Sequence, residues 1–398
     1  MYVPIRGDEM IKFIHTADLH LDSPFKGLTH VPNQLLKNIQ ESSFKAFENL
    51  VYMAIDREVD FIVIAGDLFD LNTRSIRAQI FLKKQFERLE AYNIFVYAIY
   101  GNHDYVKDDR LYLQFPKNVY IFKDEVETTL HKSESNETVS LTGFSYHTQH
   151  VKKNMMRNYP TRSDQSDYHI GIYHGDTLQQ SSQYAPFEMK DLQKLHYDYV
   201  ALGHIHQNGK PFENVPAYYS GSIQGRHINE EGNKGAYYVE IDGPNHSTEF
   251  LKTSVIDWHR ITVSIDNTDS INTIVDHLVE KLPITSKTLI IRLILKVNGH
   301  DAVDISEVVT TETLNQLLTD YSVWILDVDT VLNSTESLSD LYPDSLQQAK
   351  HDIAHSKIDS YLNELTKQVP PALLKEFKLE DNRHSIIKKA LNKIATKD

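Results

Sequence analysis

Eight side chains in this 398-residue chain could do chemistry together: Asp18, His20, Asp67, Asn102, His103, His174, His204 and His206. Each stands at or just past the end of a short apolar run, and glycine or small residues flank them. The types are carboxylate and amide oxygens with imidazole nitrogens, a donor set that suits manganese, iron or zinc. Taken singly they say little. An Asp-x-His pair is more often a surface turn, Gly101-Asn102-His103-Asp104 could be a tight turn, and His174 could be a hydrogen-bonded core histidine. The same design recurs at five places, which predicts one site where five strand ends converge.

Composition limits what such a site could serve. The chain has no cysteine, which excludes disulfides and thiolate metal sites and fits a reducing cytoplasm. Its formal net charge is −14, from 41 Lys/Arg and 55 Asp/Glu. That is not the balance of a self-sufficient nucleic-acid binder, so a protein of this charge acting on phosphates needs bound cations or a basic partner. The longest apolar runs, such as 61–65, are far too short to cross a bilayer. Residues 1–10 contain Arg6, Asp8 and Glu9, lack a signal-peptide core and read as an N-terminal extension.

The elements that must position these residues alternate. Apolar runs at 11–16, 61–65 and 94–100 read as strands, and helical spacing covers 35–56 and 76–92. This order predicts a sheet of parallel strands with helices packed on it. Ligands gather at the carboxyl ends of such strands, where Asp18, His20, Asp67, Asn102 and His103 stand. After Tyr105, short strands at 119–122, 139–146, 169–174, 198–202, 215–220 and 234–241 have few helices between them, predicting a second, mixed or antiparallel sheet. The polar loop 147–167 carries Lys152, Lys153, Arg157 and Arg162, and is either a DNA-backbone contact or a solvated loop. Residues 248–258 read as the exit from this domain. A smaller α/β unit follows, with strands at 261–265, 289–297 and 324–331 and a helix at 271–282. From Ser345 onward two amphipathic helices flank the break at Pro370-Pro371, in a tail with 10 Lys/Arg against 7 Asp/Glu.

Asp18-Leu19-His20, Gly66-Asp67-Leu68-Phe69-Asp70, Gly101-Asn102-His103-Asp104, Tyr173-His174-Gly175 and Gly203-His204-Ile205-His206 resemble, in order and spacing, the five signatures of the calcineurin-like metallophosphoesterases. Within that superfamily the chain is most similar to the SbcD-type DNA-repair exonucleases, and to their YhaO branch. The stretch 15–22, the segment 219–226, and Glu230-Glu231 with Lys234-Gly235 carry this narrower resemblance.

The resemblance implies an α/β fold: a two-sheet αββα metallophosphoesterase sandwich at 11–256, a small α/β capping domain at 257–335 and a helical tail at 336–398. It also implies two divalent metal ions, manganese foremost. One would be held by Asp18, His20, Asp67 and His206, the other by Asp67, Asn102, His174 and His204. Asp67 bridges, since a carboxylate can hold two cations roughly 3.5–4 Å apart, as in-line phosphoryl displacement requires. In the implied two-metal attack by activated water, His103 serves as acid toward the leaving oxygen. Asp70 resembles the carboxylate partner of that histidine in related phosphatases, with a solvated loop carboxylate as the alternative. Ser222 and Arg226 follow the last ligand strand and are candidate substrate contacts. His15 reads as core, and Asp22, Asp104 and Asp176 as supporting or turn residues. The implied function is a metal-dependent phosphodiesterase, a DNA exonuclease or endonuclease in repair or end processing. Implied partners are DNA, a coiled-coil ATPase of the SbcC/YhaN kind docked on the tail, and a second copy of the chain, with no membrane. Two alternatives stand beside it: a phosphoesterase for a small nucleotide or phosphodiester, and a partner-recruiting scaffold.

Overall fold

The computed structural model describes residues 10–25, 28, 31–70, 75–105, 113–177, 182–266, 268–298 and 309–332. The expectations placed on residues 1–9 and on the helical tail at 336–398 lie outside these described residues.

The apolar runs form β1 (Met10–Thr16), β2 (Phe61–Ala65) and β3 (Phe95–Ile99), separated by α1 (Asn33–Asp56) and α2 (Ile76–Glu90). The three strands pair in parallel. They are apolar along their length because both faces are covered. Ile14, Ile62, Ile64 and Val96 pack with Phe44, Phe47 and Leu50 of α1 and Phe86 of α2. Ile11, Phe13, Phe61, Val63 and Ile99 face the other way, into a core shared with a second sheet. Ser75 caps α2, its hydroxyl accepting from Ala78 N at 3.0 Å.

The chain then adds β4 (Val119–Ile121), β5 (Glu127–Lys132), β6 (Thr138–Gly143), β7 (Tyr168–His174), α3 (Met189–Leu195), β8 (Tyr199–Gly203), β9 (Ala217–Tyr219), β10 (Gly235–Asp242) and β11 (Asn245–Lys252). The first sheet has the order β11-β10-β1-β2-β3-β4, and the second β5-β6-β7-β8-β9. Two strands expected in the second sheet belong to the first. β4 pairs in parallel with β3, and β10 pairs antiparallel with β1. Their own residues do not encode which edge they join; the register with distant β1 and β3 does. The second sheet is mixed, with β6 to β9 parallel and β5 antiparallel.

No apolar or helical pattern in the sequence marks β5, β11 or α3. β5 and β11 are edge strands with polar, largely exposed side chains, so no apolar run marks them. Residues 248–258, expected as an exit, supply the end of β11 and the start of the next strand. Helix α3 has seven residues, too few for a helical period to register. Together with Val151, Met156 and Tyr159, its Leu192 and Leu195 cover the outer face of the second sheet. The result is a sandwich of two sheets between helical layers, as expected.

Backbone proximity divides the chain into two units. The first is Met1–Arg260 with Ile284–Ile291 and Tyr321–Leu326, and the second is the remainder. The third sheet has the order β12-β13-β14, formed by β12 (Ile256–Asp266), β13 (Thr288–Asn298) and β14 (Val323–Leu332). In the first unit, Ile256, Trp258 and Ile290 pack with Leu28, Val31 and Ile39. The second unit carries α4 (Ile271–Glu280) and α5 (Thr311–Leu317), which bury Ile274, Leu278 and Leu314. Among the described residues no helix is long and apolar enough to cross a membrane.

Phe61 tests the core between the two sheets. It is fully buried, its ring stacked on Phe13 at 5.1 Å and edge-on to Tyr97 and His131. Phe61→Ala should cost about 3–5 kcal/mol of unfolding free energy in denaturant titration, and a loss under about 1 kcal/mol would mean that the two sheets do not share a packed core.

Candidate metal centre

β1 and β2 remain paired beyond their last strand residues. Asp18 N donates to Gly66 O at 3.0 Å, His20 N to Asp67 O at 3.0 Å and Leu21 N to Leu68 O at 3.1 Å. The backbone there turns sharply. Asp18, His20, Asp67 and His204 have φ of 51°, 42°, 56° and 96°, in the left-handed region that residues with a Cβ rarely use. Each such residue costs about 1–3 kcal/mol, and four of them at one place point to a site whose geometry matters more than its local stability. Close approach is required as well. A Cβ on Gly101 would lie 2.3 Å from Asp67 Oδ1, and one on Gly203 would lie 1.9 Å from Ala65 O.

These turns bring Asp18, His20, Asp67, Asn102, His174, His204 and His206 together. His174 Nδ1 lies 2.9 Å from the Ala65 carbonyl, which can only accept, so Nδ1 carries the hydrogen and Nε2 the lone pair. That lone pair faces Asn102 Oδ1 at 2.9 Å and Asp67 Oδ2 at 3.5 Å. Asn102 Oδ1, as the amide is oriented, is also 3.1 Å from His204 Nδ1. On the other side, His206 Nδ1 lies 2.7 Å from Glu230 Oε1, so Nδ1 carries the hydrogen, and in the neutral ring Nε2 is the lone pair. It faces His20 Nε2 at 3.1 Å and Asp18 Oδ1 at 3.7 Å. Asp67 Oδ2 sits between the two groups, 3.6 Å from His20 Nε2 and 3.5 Å from His174 Nε2. A proton on His20 Nε2 would satisfy one of these approaches and leave those around His174 without a donor. Buried acceptors aimed at one another need protons or cations between them, so the donor set fits divalent metal ions. Asp18, His20 and His206 offer atoms within 4.8 Å of one another, and so do Asp18, Asp67 and His174.

Burial pushes the Asp18 carboxyl up to about 7 and that of Asp67 up to about 8, the latter aided by the charge of Asp104. Burial holds His20 and His174 well below the ordinary histidine value and takes His204 down to about 4. Neutral imidazoles are the form that can bind a metal.

His103 stands at the rim of this group, its ring edge-on to His20 at 4.9 Å. Its backbone N–H donates to Asp67 Oδ1 at 2.9 Å. Its Nδ1 is 3.8 Å from Asp70 Oδ1, an ion-pair rather than a hydrogen-bond distance. Burial opposes charge on His103, but the carboxylates of Asp70 and Asp67 outweigh it and raise its pKa. His20, Asp70 and His103 also offer atoms within 4.8 Å of one another. Asp104 accepts from Gly101 N and Leu68 N, both at 2.6 Å, and so ties the second and third strand ends together.

Arg226 and Ser222 both point inward. Ser222 is fully buried, its Oγ without a hydrogen-bond partner among the described residues. Arg226 donates to Glu230 Oε1 at 3.0 Å and approaches Asp70 Oδ2 at 3.6 Å. Glu230 is the partner of His206 that residue spacing missed. It lies 24 positions after His206, and only its place in the quoted segment 219–235 hinted at it. In the loop 147–167 the arginines are engaged internally: Arg157 with Asp191 and Glu188, Arg162 with Asp198. His15 is a core residue, bonded to Tyr199 Oη at 3.0 Å.

Residues 11–208 match the family described as Calcineurin-like phosphoesterase. An uncharacterized metallophosphoesterase, YhaO, from Bacillus subtilis (strain 168) is 40% identical over 294 residues, covering 72% of this chain and 72% of that protein. The DNA double-strand break repair protein Mre11 of Sulfolobus acidocaldarius is 24% identical, covering 92% of this chain and 98% of that protein. Among solved structures, a dimetal phosphatase from Danio rerio matches with a TM-score of 0.35 and 13% identity, covering 60% of this chain and 98% of its own.

The raised carboxyl pKa values carry a prediction. Protons on Asp18 and Asp67 favour the fold at low pH, and that contribution is lost as pH rises through about 7 to 8. Cations compete with those protons and replace them. Manganese should therefore raise the melting temperature of chelator-treated protein more at about pH 8.5 than at about pH 6, and binding near pH 7 should release protons. A melting shift that is equal or larger at the lower pH would refute this.

Proposed function

Because the chain belongs to the calcineurin-like phosphoesterases, we propose that it is a dimetal phosphodiesterase acting on DNA, in repair or end processing. One observation carries the reading: Asp67 Oδ2 lies 3.6 Å from His20 Nε2 and 3.5 Å from His174 Nε2, between two sets of lone pairs. Asp18, His20, Asp67 and His206 would hold one divalent ion, and Asp67, Asn102, His174 and His204 the other, with Asp67 as bridge. Two such ions supply charge neutralisation at the phosphate and a lowered pKa for attacking water. Mixed carboxylate, amide and imidazole donors suit manganese, iron or zinc, and manganese is the ion the family resemblance implies.

The chain's own residues supply the rest. His103, partly exposed at the rim, has its pKa raised by the carboxylates of Asp70 and Asp67. As the phosphorus–oxygen bond to the leaving group breaks, His103 donates its proton to that oxygen, and Asp70 keeps the imidazole aimed. The backbone N–H of His204 donates to both oxygens of Asp18, at 3.3 and 3.1 Å, which fixes that carboxylate.

DNA as substrate is supported by the likeness to a DNA double-strand break repair protein along nearly the whole of both chains. We propose accordingly a cytoplasmic nuclease that acts as a homodimer with a coiled-coil ATPase. The tail expected to dock that ATPase lies outside the described residues. A net charge of −14 is consistent with a requirement for bound cations or a basic partner before DNA can approach.

The assay is manganese-dependent cleavage of bis-(p-nitrophenyl) phosphate and of linear, nicked and hairpin DNA, with and without the ATPase. Hydrolysis of the small ester with no DNA substrate ever cut would overturn the nuclease reading. His103→Ala should retain two ions per chain and lose about 10²–10⁴-fold in turnover on DNA, with a smaller loss on the nitrophenyl ester, whose leaving group needs little protonation. Equal losses on both would remove His103 from the acid role.

A further inference from the structure

His206 and His103 stand on different strand ends, yet a run of buried side chains joins them. Glu230 Oε1 accepts from His206 Nδ1 at 2.7 Å and from Arg226 Nη2 at 3.0 Å, while Oε2 accepts from Arg226 N at 2.9 Å. Both carboxylate oxygens are thus committed and the group cannot rotate. Arg226 continues the run: its Nη1 lies 3.6 Å from Asp70 Oδ2 and 3.4 Å from Ser23 Oγ, which itself donates to Asp70 Oδ2 at 3.0 Å. Asp70 in turn faces His103. The side chains of Glu230, Asp70 and Arg226 are only 7%, 11% and 15% exposed. Lys234 Nζ anchors the backbone of His206, donating to its carbonyl at 2.7 Å.

We propose that Glu230 and Arg226 are positioning residues, Glu230 setting the tautomer of His206 and Arg226 setting the place of Asp70 behind His103. The inference rests on the reading of His206 as a metal ligand and goes beyond it. Its physical basis is a competition at one nitrogen. Arg226 Nη2 lies 3.3 Å from His206 Nδ1, and a guanidinium can only donate. Left alone with Arg226, His206 would turn its Nδ1 lone pair to the guanidinium and carry its hydrogen on Nε2, which closes Nε2 to a metal. Glu230, nearer at 2.7 Å, wins that nitrogen as acceptor and occupies the guanidinium at the same time. A carboxylate behind a metal-binding imidazole typically contributes roughly 10- to 100-fold in metal affinity.

Two substitutions separate this from simple packing. Glu230→Ala should weaken manganese binding, measured by calorimetry, by roughly 10- to 100-fold. Adding Arg226→Ala to it removes the competing donor and should restore part of that affinity. A wild-type affinity in folded Glu230→Ala would overturn the proposal, and so would a double variant that binds more weakly than the single one. Should Glu230→Ala fail to fold, nitrogen-15 NMR of the chelator-treated wild-type protein decides. His206 is expected with hydrogen on Nδ1, and hydrogen on Nε2 would overturn the proposal. None of these readouts needs turnover. A wild-type chain that binds manganese but hydrolyses no phosphodiester would defeat the proposed function and leave this inference standing, whereas one that binds no divalent ion would defeat the ligand reading beneath both.

Discussion

The site depends on the electrostatic cost of gathering acceptor atoms away from water. Asp18 and Asp67 are about 1% exposed, and His20 and His174 are fully buried. Isolated charges in such a place would be expensive, and lone pairs aimed at one another repel. Only something positive between them makes the arrangement stable, whether protons or metal ions. The upward pKa values of the two carboxyls and the downward values of the imidazoles express this constraint together.

The backbone accommodates that constraint at some cost. Four of the converging residues sit in left-handed conformations, and Gly101 and Gly203 allow approaches that any side chain would block. Asp104 offsets part of the strain by accepting from two loops at once, and the continued pairing between 18–21 and 66–68 holds the ends in register. The two-sheet core behind the site is fully buried over most of its residues and rich in aromatic rings, and close packing of such a core lets it impose these conformations.

Charge is distributed to match. Around His206 a carboxylate, a guanidinium and an ammonium group alternate, so that a buried cationic network stands next to the anionic one. Arg226 thereby belongs to the interior of the site, with its donors directed at protein groups. The arginines of the 147–167 loop are likewise turned to Asp191 and Asp198.

Much of this was legible in the chain itself. Apolar runs ending in Asp, Asn or His marked β1, β2, β3, β7 and β8, since a strand buried on both faces must be apolar and its functional residues must lie where it ends. The spacing of those ends predicted a converging site, because parallel strands present their carboxyl ends on one side. What residue order could not hold was everything decided by register between distant segments. The edge strands β5 and β11 have no apolar signal, β10 joins β1 by a pairing more than 200 residues apart, and Glu230 reaches His206 only because the segment after β9 folds back on the site. Local patterns record how a segment is buried; which atoms then meet, and which nitrogen of His206 faces Glu230, is settled by contacts that form only in the folded chain.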